Sequence, residues 1–183
     1  MNMRAMFRVE PEELLAMSDG ERYELIDGIP REKHMGAASD EIAVTLAAEL
    51  KTFVRARKLG RVYGSQTGYQ CFPRSAKMVR MPDTSFVAAG RLEGEVSPEG
   101  YIPIAPDLAV EVVSPNEEYE EVEVKVAQYR SAGVKLIWVV SPMSKTVVIR
   151  RLDGTCAEVG AAGELSGEDV LPGFACTVAD LFM

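Results

Sequence analysis

Cysteine and histidine are scarce in this chain. Its 183 residues include three cysteines, Cys71, Cys156 and Cys176, and one histidine, His34. The cysteines are odd in number and far apart, and no CxxC pair occurs, which argues against both a disulfide framework and a cysteine zinc site. One histidine cannot form a multi-histidine metal centre, and a Ser-His-Asp triad would have to use it without a GxSxG motif. We therefore expect His34 to be a surface loop residue.

Long apolar runs and nucleotide-binding loops are also missing. The longest uninterrupted apolar stretches have about five residues, as at 136–140, which is too short for a transmembrane helix. The N-terminus has no apolar stretch of signal-peptide length. Neither GxGxxG nor a GxxxxGKS/T motif occurs, so no phosphate-cradling loop is indicated. These absences favour a cytoplasmic protein without membrane association.

The composition is typical of a globular protein with an acidic average. Hydrophobic residues make up 47% of the sequence, charged residues 26%, and the formal net charge is −8. A chain of this length is expected to fold as one domain, residues 1–183. The acidic average argues against a general nucleic-acid coat protein, but it is compatible with a local basic groove.

One stretch of the chain is strongly basic. Residues 51–80 carry eight lysines and arginines and no acid, whereas the remainder carries 28 acids against 12 bases. Such a stretch predicts either a phosphate-contacting surface or solvated helix and hairpin faces balanced by acids elsewhere. The candidate nucleic-acid contacts are Lys51, Arg55, Arg57, Lys58, Arg61, Arg74, Lys77 and Arg80.

Hydrophobic periodicity and turn residues predict a mixed sheet with helices. Two helices with one apolar face each are predicted at about 40–58 and 117–131, the first between Ser39 and Gly60 as its caps. Short helices are predicted at 11–17 and 178–182. The predicted strands lie near 23–28, 61–64, 67–72, 78–88, 107–114, 135–140, 146–151 and 155–159. This order predicts an α/β (α+β) fold in which helices flank a central mixed sheet.

Three acids, Glu24, Asp83 and Glu111, stand inside runs that otherwise have the pattern of strands. Burying an unpaired carboxylate costs several kcal/mol, so each acid needs a cation, a base or a metal ion. Taken singly, each acid is interpreted as a structural salt bridge or an outward-facing strand residue. Taken together, the three predict an oxygen-ligand site for a hard cation such as Mg²⁺, with Mn²⁺ as the other candidate.

A lysine that could serve this site follows on the next predicted helix. Phosphodiester hydrolysis requires positive charge near the developing negative charge, and Lys125 comes one helix after Glu111. The simpler interpretation of Lys125 is an ion pair with Glu121, one helical turn away.

Five short motifs, taken in order, resemble the Uma-two family. They are Tyr23-Glu-Leu-Ile-Asp-Gly28, Pro82-Asp83, Pro106-Asp-Leu-Ala-Val-Glu-Val-Val-Ser-Pro115, Lys125-x-x-x-Tyr129 and Ala132-Gly-Val-x-x-x-Trp138. The resemblance extends from about residue 8 to the C-terminus. It implies a bacterial endonuclease group with a restriction-endonuclease-like fold of the PD-(D/E)xK type.

The resemblance implies roles for the central acids. Asp83 corresponds to the aspartate of the PD element, and Glu111 corresponds to the acid of the (D/E)xK element. The lysine of that element would be residue 113, which is Val113 here. Lys125 matches the displaced lysine that related nucleases recruit from the following helix.

Further implied contributions come from neighbouring residues. Glu24 resembles an additional N-terminal glutamate of the site, the Val112 carbonyl would be a further metal ligand, and Gln128 is a weaker candidate beside the lysine. Two positions depart from the family pattern. Ser39 stands about where many relatives have a histidine, and Ser141 stands where many have an aspartate.

These assignments predict a Mg²⁺-dependent endonuclease that hydrolyses DNA. Asp83 and Glu111 would hold the metal, Glu24 would help directly or through water, and Lys125 would orient the attacking water or stabilise the phosphate. Two alternatives stay open: a nuclease-like binding or regulatory module without catalysis, and a hydrolase of small phosphoesters. A homodimer is expected if both strands of a duplex are cut. No protein partner can be identified.

Overall fold

A six-stranded mixed sheet forms the centre of the computed structural model, which describes residues 8–33, 35–115 and 117–183. The helices in these ranges are α1 (Pro11–Ala16), α2 (Ala37–Arg57) and α3 (Tyr119–Ala132). The strands are β1 (Tyr23–Ile26), β2 (Ile29–Glu32), β3 (Gly60–Gly64), β4 (Thr84–Ala88), β5 (Leu108–Val112), β6 (Leu136–Ser141), β7 (Thr146–Arg151), β8 (Cys156–Gly160), β9 (Glu164–Ser166) and β10 (Ala175–Thr177). Short 3₁₀ helices span Gly20–Arg22, Glu93–Glu95 and Val178–Phe182.

The central sheet has the strand order β3-β4-β5-β6-β7-β8. β5 and β6 are parallel, and α3 makes the crossover that a parallel pair requires. The other neighbouring pairs are antiparallel. All five residues of β5 are buried, as expected for a central strand that is covered on both faces. The hairpins β1–β2 and β9–β10 lie outside this sheet.

Helices cover both faces of the central sheet. The face under α2 holds one apolar core, to which the helix contributes Ile42, Ala43, Leu46, Leu50 and Val54. The opposite face holds a second core, to which α3 contributes Val122, Val126 and Tyr129. The predicted apolar faces of both helices and the predicted mixed α/β class are therefore confirmed. Within the described ranges, no helix combines the length and apolar character needed to cross a bilayer.

The ends of α2 differ from the prediction. The residue before the helix is Gly36, and Ser39 lies buried inside the first turn. The hydroxyl of Ser39 faces the Val113 carbonyl at 3.5 Å, so the serine packs against the end of β5 and does not cap the helix. Lys58 takes a left-handed conformation (φ 55°) with its N–H bonded back to the last turn, so the helix ends before Gly60.

Between α2 and β5, one predicted strand is wrong and another is too long. The described residues 67–72 form no strand, and the predicted strand 78–88 is reduced to β4. This part of the chain makes isolated bridges, such as Tyr69 to Arg80. Pro73 and Pro82 interrupt the pairing because proline has no N–H to donate to a ladder. The short strands β2, β9 and β10 were not predicted, and His34 lies outside the described residues.

The first residue of β3 gives a test of how tightly this edge strand is held. Gly60 has a φ of 149°, and a methyl group at its Cα would overlap the Val87 carbonyl oxygen of β4. We expect Gly60→Ala to lower the free energy of unfolding by about 2–4 kcal/mol, measured by denaturant melts. The control is Gly64→Ala on the same strand, where no atom lies within 4 Å of the added methyl. Equal stability of the two variants would contradict this account.

Candidate active site

Two acids lie side by side on neighbouring strands at the centre of the sheet. Asp83 immediately precedes β4 and Glu111 is the fourth residue of β5, and the antiparallel register pairs Thr84 with Val110. Because side chains alternate along a strand, both acids point to the face that α3 covers. Asp83 is 4% exposed and Glu111 is 3% exposed. The sequence prediction that these acids are buried close together is therefore supported by the register.

Both oxygens of Asp83 have partners. Its Oδ1 lies 2.7 Å from the ammonium of Lys33, and its Oδ2 accepts a 2.6 Å hydrogen bond from the Val112 amide. Burial and the negative charge of Glu111 raise the pKa of Asp83 to about 6, against the opposing effect of Lys33. Asp83 is thus a carboxylate in an electrostatically unfavourable place, which a second positive charge would stabilise.

Glu111 is held by the helix that follows its strand. Its Oε1 accepts a 2.6 Å hydrogen bond from the Tyr129 hydroxyl, and its Oε2 lies 3.1 Å from the ammonium of Lys125. Burial alone would raise the pKa of Glu111, but the positive charges of Lys125 and Lys33 and the bond from Tyr129 outweigh it and lower that pKa. Glu111 is therefore ionised at neutral pH.

Lys125 reaches the acids from the first half of α3. Its ammonium pairs with Glu111 at 3.1 Å and with Glu117 at 2.7 Å, so Glu117 replaces the predicted partner Glu121. Burial lowers the pKa of Lys125, but the surrounding carboxylates raise that pKa by more than burial lowers it. The net shift is therefore upward. The lysine therefore stays protonated and carries a full positive charge beside the acids.

Glu24, on β1, already has a partner at each oxygen. Its Oε2 accepts a 2.5 Å bond from Arg80, and its Oε1 accepts a 2.8 Å bond from the Met81 amide. Arg80 also donates to the Gln128 side chain at 2.8 Å. The prediction that Arg80 contacts nucleic acid is wrong, because its side chain is buried in this network with 4% exposure.

The sequence analysis missed two residues of the site. Lys33 and Tyr129 hold one oxygen each of Asp83 and Glu111. Tyr129 is the last residue of a family-like motif, and its place one helical turn after Lys125 could have indicated a shared target. Lys33 could have been found only by extending the Asp-Gly turn into a full hairpin, which sets Glu32 opposite Tyr23.

The predicted basic stretch separates into several environments. Arg57 lies over the ring of Phe53 at 3.9 Å, Arg74 is exposed in a turn, and Lys77 pairs with Glu10. Arg80 is buried beside Glu24. The remaining four line one cleft of about 490 Å³, together with Tyr63 and Ser97, which we call the basic groove. Its four cations are Lys51, Arg55, Lys58 and Arg61.

The basic groove lies along edge strand β3, at some distance from the acids. The register pairs Gly60 with Ala88 and Gly64 with Thr84, so the Gly60 end of β3 is the end farther from Asp83. Four steps along a strand amount to ~13 Å. Lys51 and Arg55 of the groove belong to α2, on the face of the sheet opposite to α3. The groove and the acids are therefore separate features.

Asp83 and Glu111 offer a hard cation two carboxylate ligands. Mg²⁺ is commonly bound through one or two carboxylates with water and phosphate completing its shell. Among residues 8–33, 35–115 and 117–183, no three histidine, cysteine, aspartate or glutamate side chains form a metal-holding group. The donor chemistry fits Asp83 and Glu111 as direct ligands, whereas the oxygens of Glu24 are engaged by Arg80 and Met81.

A mixed sheet with paired acids and a helix-borne lysine is the architecture of a restriction-endonuclease-like protein. Residues 11–179 match the Uma2 family model, described as "Putative restriction endonuclease", and the chain belongs to this Uma2 (Uma-two) family. A crystal structure described as "a putative nuclease belonging to DUF820", from Anabaena variabilis, is similar with a TM-score of 0.78 and 19% identity, over 95% of this chain and 97% of that chain. This likeness shows the fold. No curated protein matches the chain.

The hydroxyl of Tyr129 provides a test of how the site is held. In Tyr129→Phe the buried Glu111 loses a hydrogen bond, and we expect the free energy of unfolding to fall by about 1–3 kcal/mol at pH 8 in metal-free buffer. The bond lowers the pKa of Glu111, so its stabilisation exists above the ordinary pKa of 4.5 and is lost as pH falls through the lowered value. Denaturant melts at pH 8 and pH 3 measure this difference.

The matched control is Tyr119→Phe on the same helix, because Tyr119 is 73% exposed whereas Tyr129 is fully buried. The control should change stability by less than about 0.5 kcal/mol at either pH. A Tyr129→Phe deficit that is the same at both pH values would show that the hydroxyl does not act through the charge of Glu111.

Proposed function

We propose that this protein is a metal-dependent endonuclease that hydrolyses phosphodiester bonds of DNA. The observation that carries the proposal is the placement of Asp83 and Glu111 at adjacent positions of β4 and β5, with Lys125 on Glu111. Family membership supports the nuclease class. Fold alone does not determine activity, so the assignment depends on these three side chains.

The proposed metal is Mg²⁺, with Mn²⁺ as a substitute, held by Asp83, Glu111 and the Val112 carbonyl. When bound, such an ion polarises a phosphoryl oxygen and lowers the pKa of a coordinated water. Lys125 remains protonated, so its role is to donate hydrogen bonds that orient the attacking water or stabilise charge on the phosphate. Glu24 acts indirectly in this scheme, because it is engaged by Arg80 and the Met81 amide.

Within the chain, the surrounding residues hold these groups in place. Tyr129 fixes one oxygen of Glu111, and the Val112 amide fixes one oxygen of Asp83. Arg80 ties Glu24 to Gln128 and thereby joins β1 to α3. These bonds hold the two carboxylates in place before a metal ion or substrate arrives.

The basic groove is proposed to contact the DNA backbone. It offers four cations and the hydroxyl groups of Tyr63 and Ser97, and no acidic side chain lines it. Phosphate contacts of this kind position a duplex without reading its sequence. A homodimer, which would present two sites to two strands, stays a prediction of the sequence.

One observation favours the alternative of a nuclease-like module without catalysis. Each of the four oxygens of Asp83 and Glu111 already has a partner within the chain, and Lys33 and Lys125 supply two of them. The other alternative, a small-phosphoester hydrolase, would need an enclosed pocket at the acids. The basic groove and a second cleft of the described surface, which contains Glu49 and Glu164, are both lined by residues other than Asp83 and Glu111.

The proposed activity is tested by removing each carboxylate without changing its shape. We expect Asp83→Asn and Glu111→Gln each to lower Mg²⁺-dependent cleavage of plasmid DNA at least about 100-fold. The matched control is Asp107→Asn. Asp107 is a buried, ion-paired acid on the same face of the sheet as Glu111, four residues earlier in the chain. Asp107→Asn should lose stability and keep its cleavage rate. Undiminished cleavage by either site variant would refute the assignment.

The role of the basic groove is tested by the salt dependence of DNA binding. We expect Arg55→Gln to weaken binding to a short duplex and to reduce the slope of log K against log salt by about 0.9, the value of one phosphate contact. The control is Arg57→Gln on the same helix, because Arg57 is directed to Phe53. Equal salt slopes for the two variants would contradict the proposed role of the groove.

A further inference from the structure

Lys33 is the cation closest to Asp83. It follows β2 directly, and its backbone N–H is bonded to the Arg22 carbonyl, which continues the hairpin by one step. Its ammonium lies 2.7 Å from Asp83 Oδ1 and donates to the Met81 carbonyl at 2.5 Å and to the Ser65 carbonyl at 3.4 Å. The lysine is therefore surrounded by oxygens from two separate parts of the chain, Ser65 and the segment 81–83.

These contacts give the ammonium the surroundings of a bound cation. One carboxylate oxygen and two carbonyl oxygens are the hard donors that also bind divalent metal ions. Asp83 Oδ2 is bonded to the Val112 amide, so Oδ1 is the oxygen that an incoming metal ion would take. Lys33 holds that oxygen, and its side chain is 13% exposed, so it has a path to solvent.

Electrostatics explain why a cation is needed at this place. Two ionised carboxylates at adjacent strand positions repel each other, and burial strengthens that repulsion. Lys125 compensates Glu111 and is shared with Glu117, which leaves Asp83 dependent on Lys33. Without Lys33, the negative charge at Asp83 would have no ion-pair partner among the described residues unless a metal ion supplied one.

We propose that Lys33 is an exchangeable counter-cation of the carboxylate site, which holds Asp83 in the metal-free protein and leaves Asp83 Oδ1 when a divalent cation binds. This inference rests on the proposed function, since it requires that Asp83 is a metal ligand. Lys33 is then a positioning residue. Because a metal ion must displace it from Asp83, the wild type binds the ion more weakly than a variant without this lysine.

The test is a calorimetric titration of Mn²⁺ into wild type, Lys33→Met and Lys33→Gln. Lys33→Met removes the charge and keeps an unbranched side chain. Lys33→Gln also removes the charge but keeps a donor for the Met81 carbonyl, and it serves as the second variant if Lys33→Met fails to fold. We expect the dissociation constant for Mn²⁺ to fall at least tenfold in both variants. The matched control is Lys77→Met, because Lys77 is also paired with a carboxylate, that of Glu10, but lies far more exposed.

Thermal melts give a second readout that is independent of activity. In EDTA, both Lys33 variants should melt below wild type, because Asp83 has lost its counter-charge. In Mn²⁺ they should gain more than wild type gains, so that the difference narrows or reverses. A variant that is destabilised equally with and without Mn²⁺ would show that Lys33 has a structural role only, and would overturn the inference.

Asp83→Asn separates failure of this inference from failure of the proposed function. If wild type binds Mn²⁺, Asp83→Asn does not, and the Lys33 variants bind no more tightly than wild type, Lys33 is not an exchangeable cation while the metal site stands. If no variant and no wild-type protein binds Mn²⁺ at millimolar concentration, both proposals are overturned. Binding by the Lys33 variants alone would support the inference most directly.

Discussion

The structure is organised around the repulsion between two buried carboxylates. Asp83 and Glu111 lie on neighbouring strands at the centre of the sheet, where water cannot screen them. Removing an unpaired carboxylate from water costs several kcal/mol, so the fold must bring compensating groups from elsewhere in the chain. The hairpin β1–β2 brings Lys33, β5 brings the Val112 amide, and α3 brings Lys125. The N-terminal hairpin and α3 thus contribute cations to the same pair of carboxylates.

Asp107 shows that a buried acid alone does not mark a functional site. It lies just before β5, on the same face of the sheet as Glu111 but at the other end, and pairs with Arg91 at 2.6 Å and Lys135 at 2.9 Å. Burial would raise its pKa, but those two cations and the Ala88 amide lower it. Asp83 differs because a second carboxylate is its neighbour and its pKa is raised. Burial raises the pKa of Asp83 most and the like charge of Glu111 adds to that rise, and only Lys33 pairs with Asp83 among the described residues, whereas two cations hold Asp107.

The central part of the fold was predictable because its signals are local. The apolar residues of α2 and α3 repeat with the period of a helix, and β5 is a short continuous apolar run, as expected for a buried strand. The path of residues 67–83 was not predictable in this way, since it depends on isolated bridges to distant segments and on prolines that block regular pairing. Ser39 was assigned as a cap from its residue type, whereas its position is determined by packing against β5.

The candidate site was predictable to a similar extent. Asp83, Glu111 and Lys125 were found because acids inside apolar runs are conspicuous and because the motifs resemble a known family. The Asp83 partner Lys33 and the burial of Arg80 had no local signal, because both depend on how the hairpin β1–β2 meets the segment around Val79, which Leu25 of β1 bridges. Charge counting assigned Arg80 to the surface, although its real partner, Glu24, is 56 residues away in sequence.

The distribution of charge connects the two features that the proposed function requires. A net charge of −8 repels a polyanion over distances of about one Debye length, ~8 Å at physiological ionic strength. Four cations lining one groove create a local positive potential that DNA can approach despite that repulsion. The acids lie in another part of the same sheet, where a free carboxylate pair would repel the phosphate. Lys33 and Lys125 reduce that repulsion, as the proposed function requires.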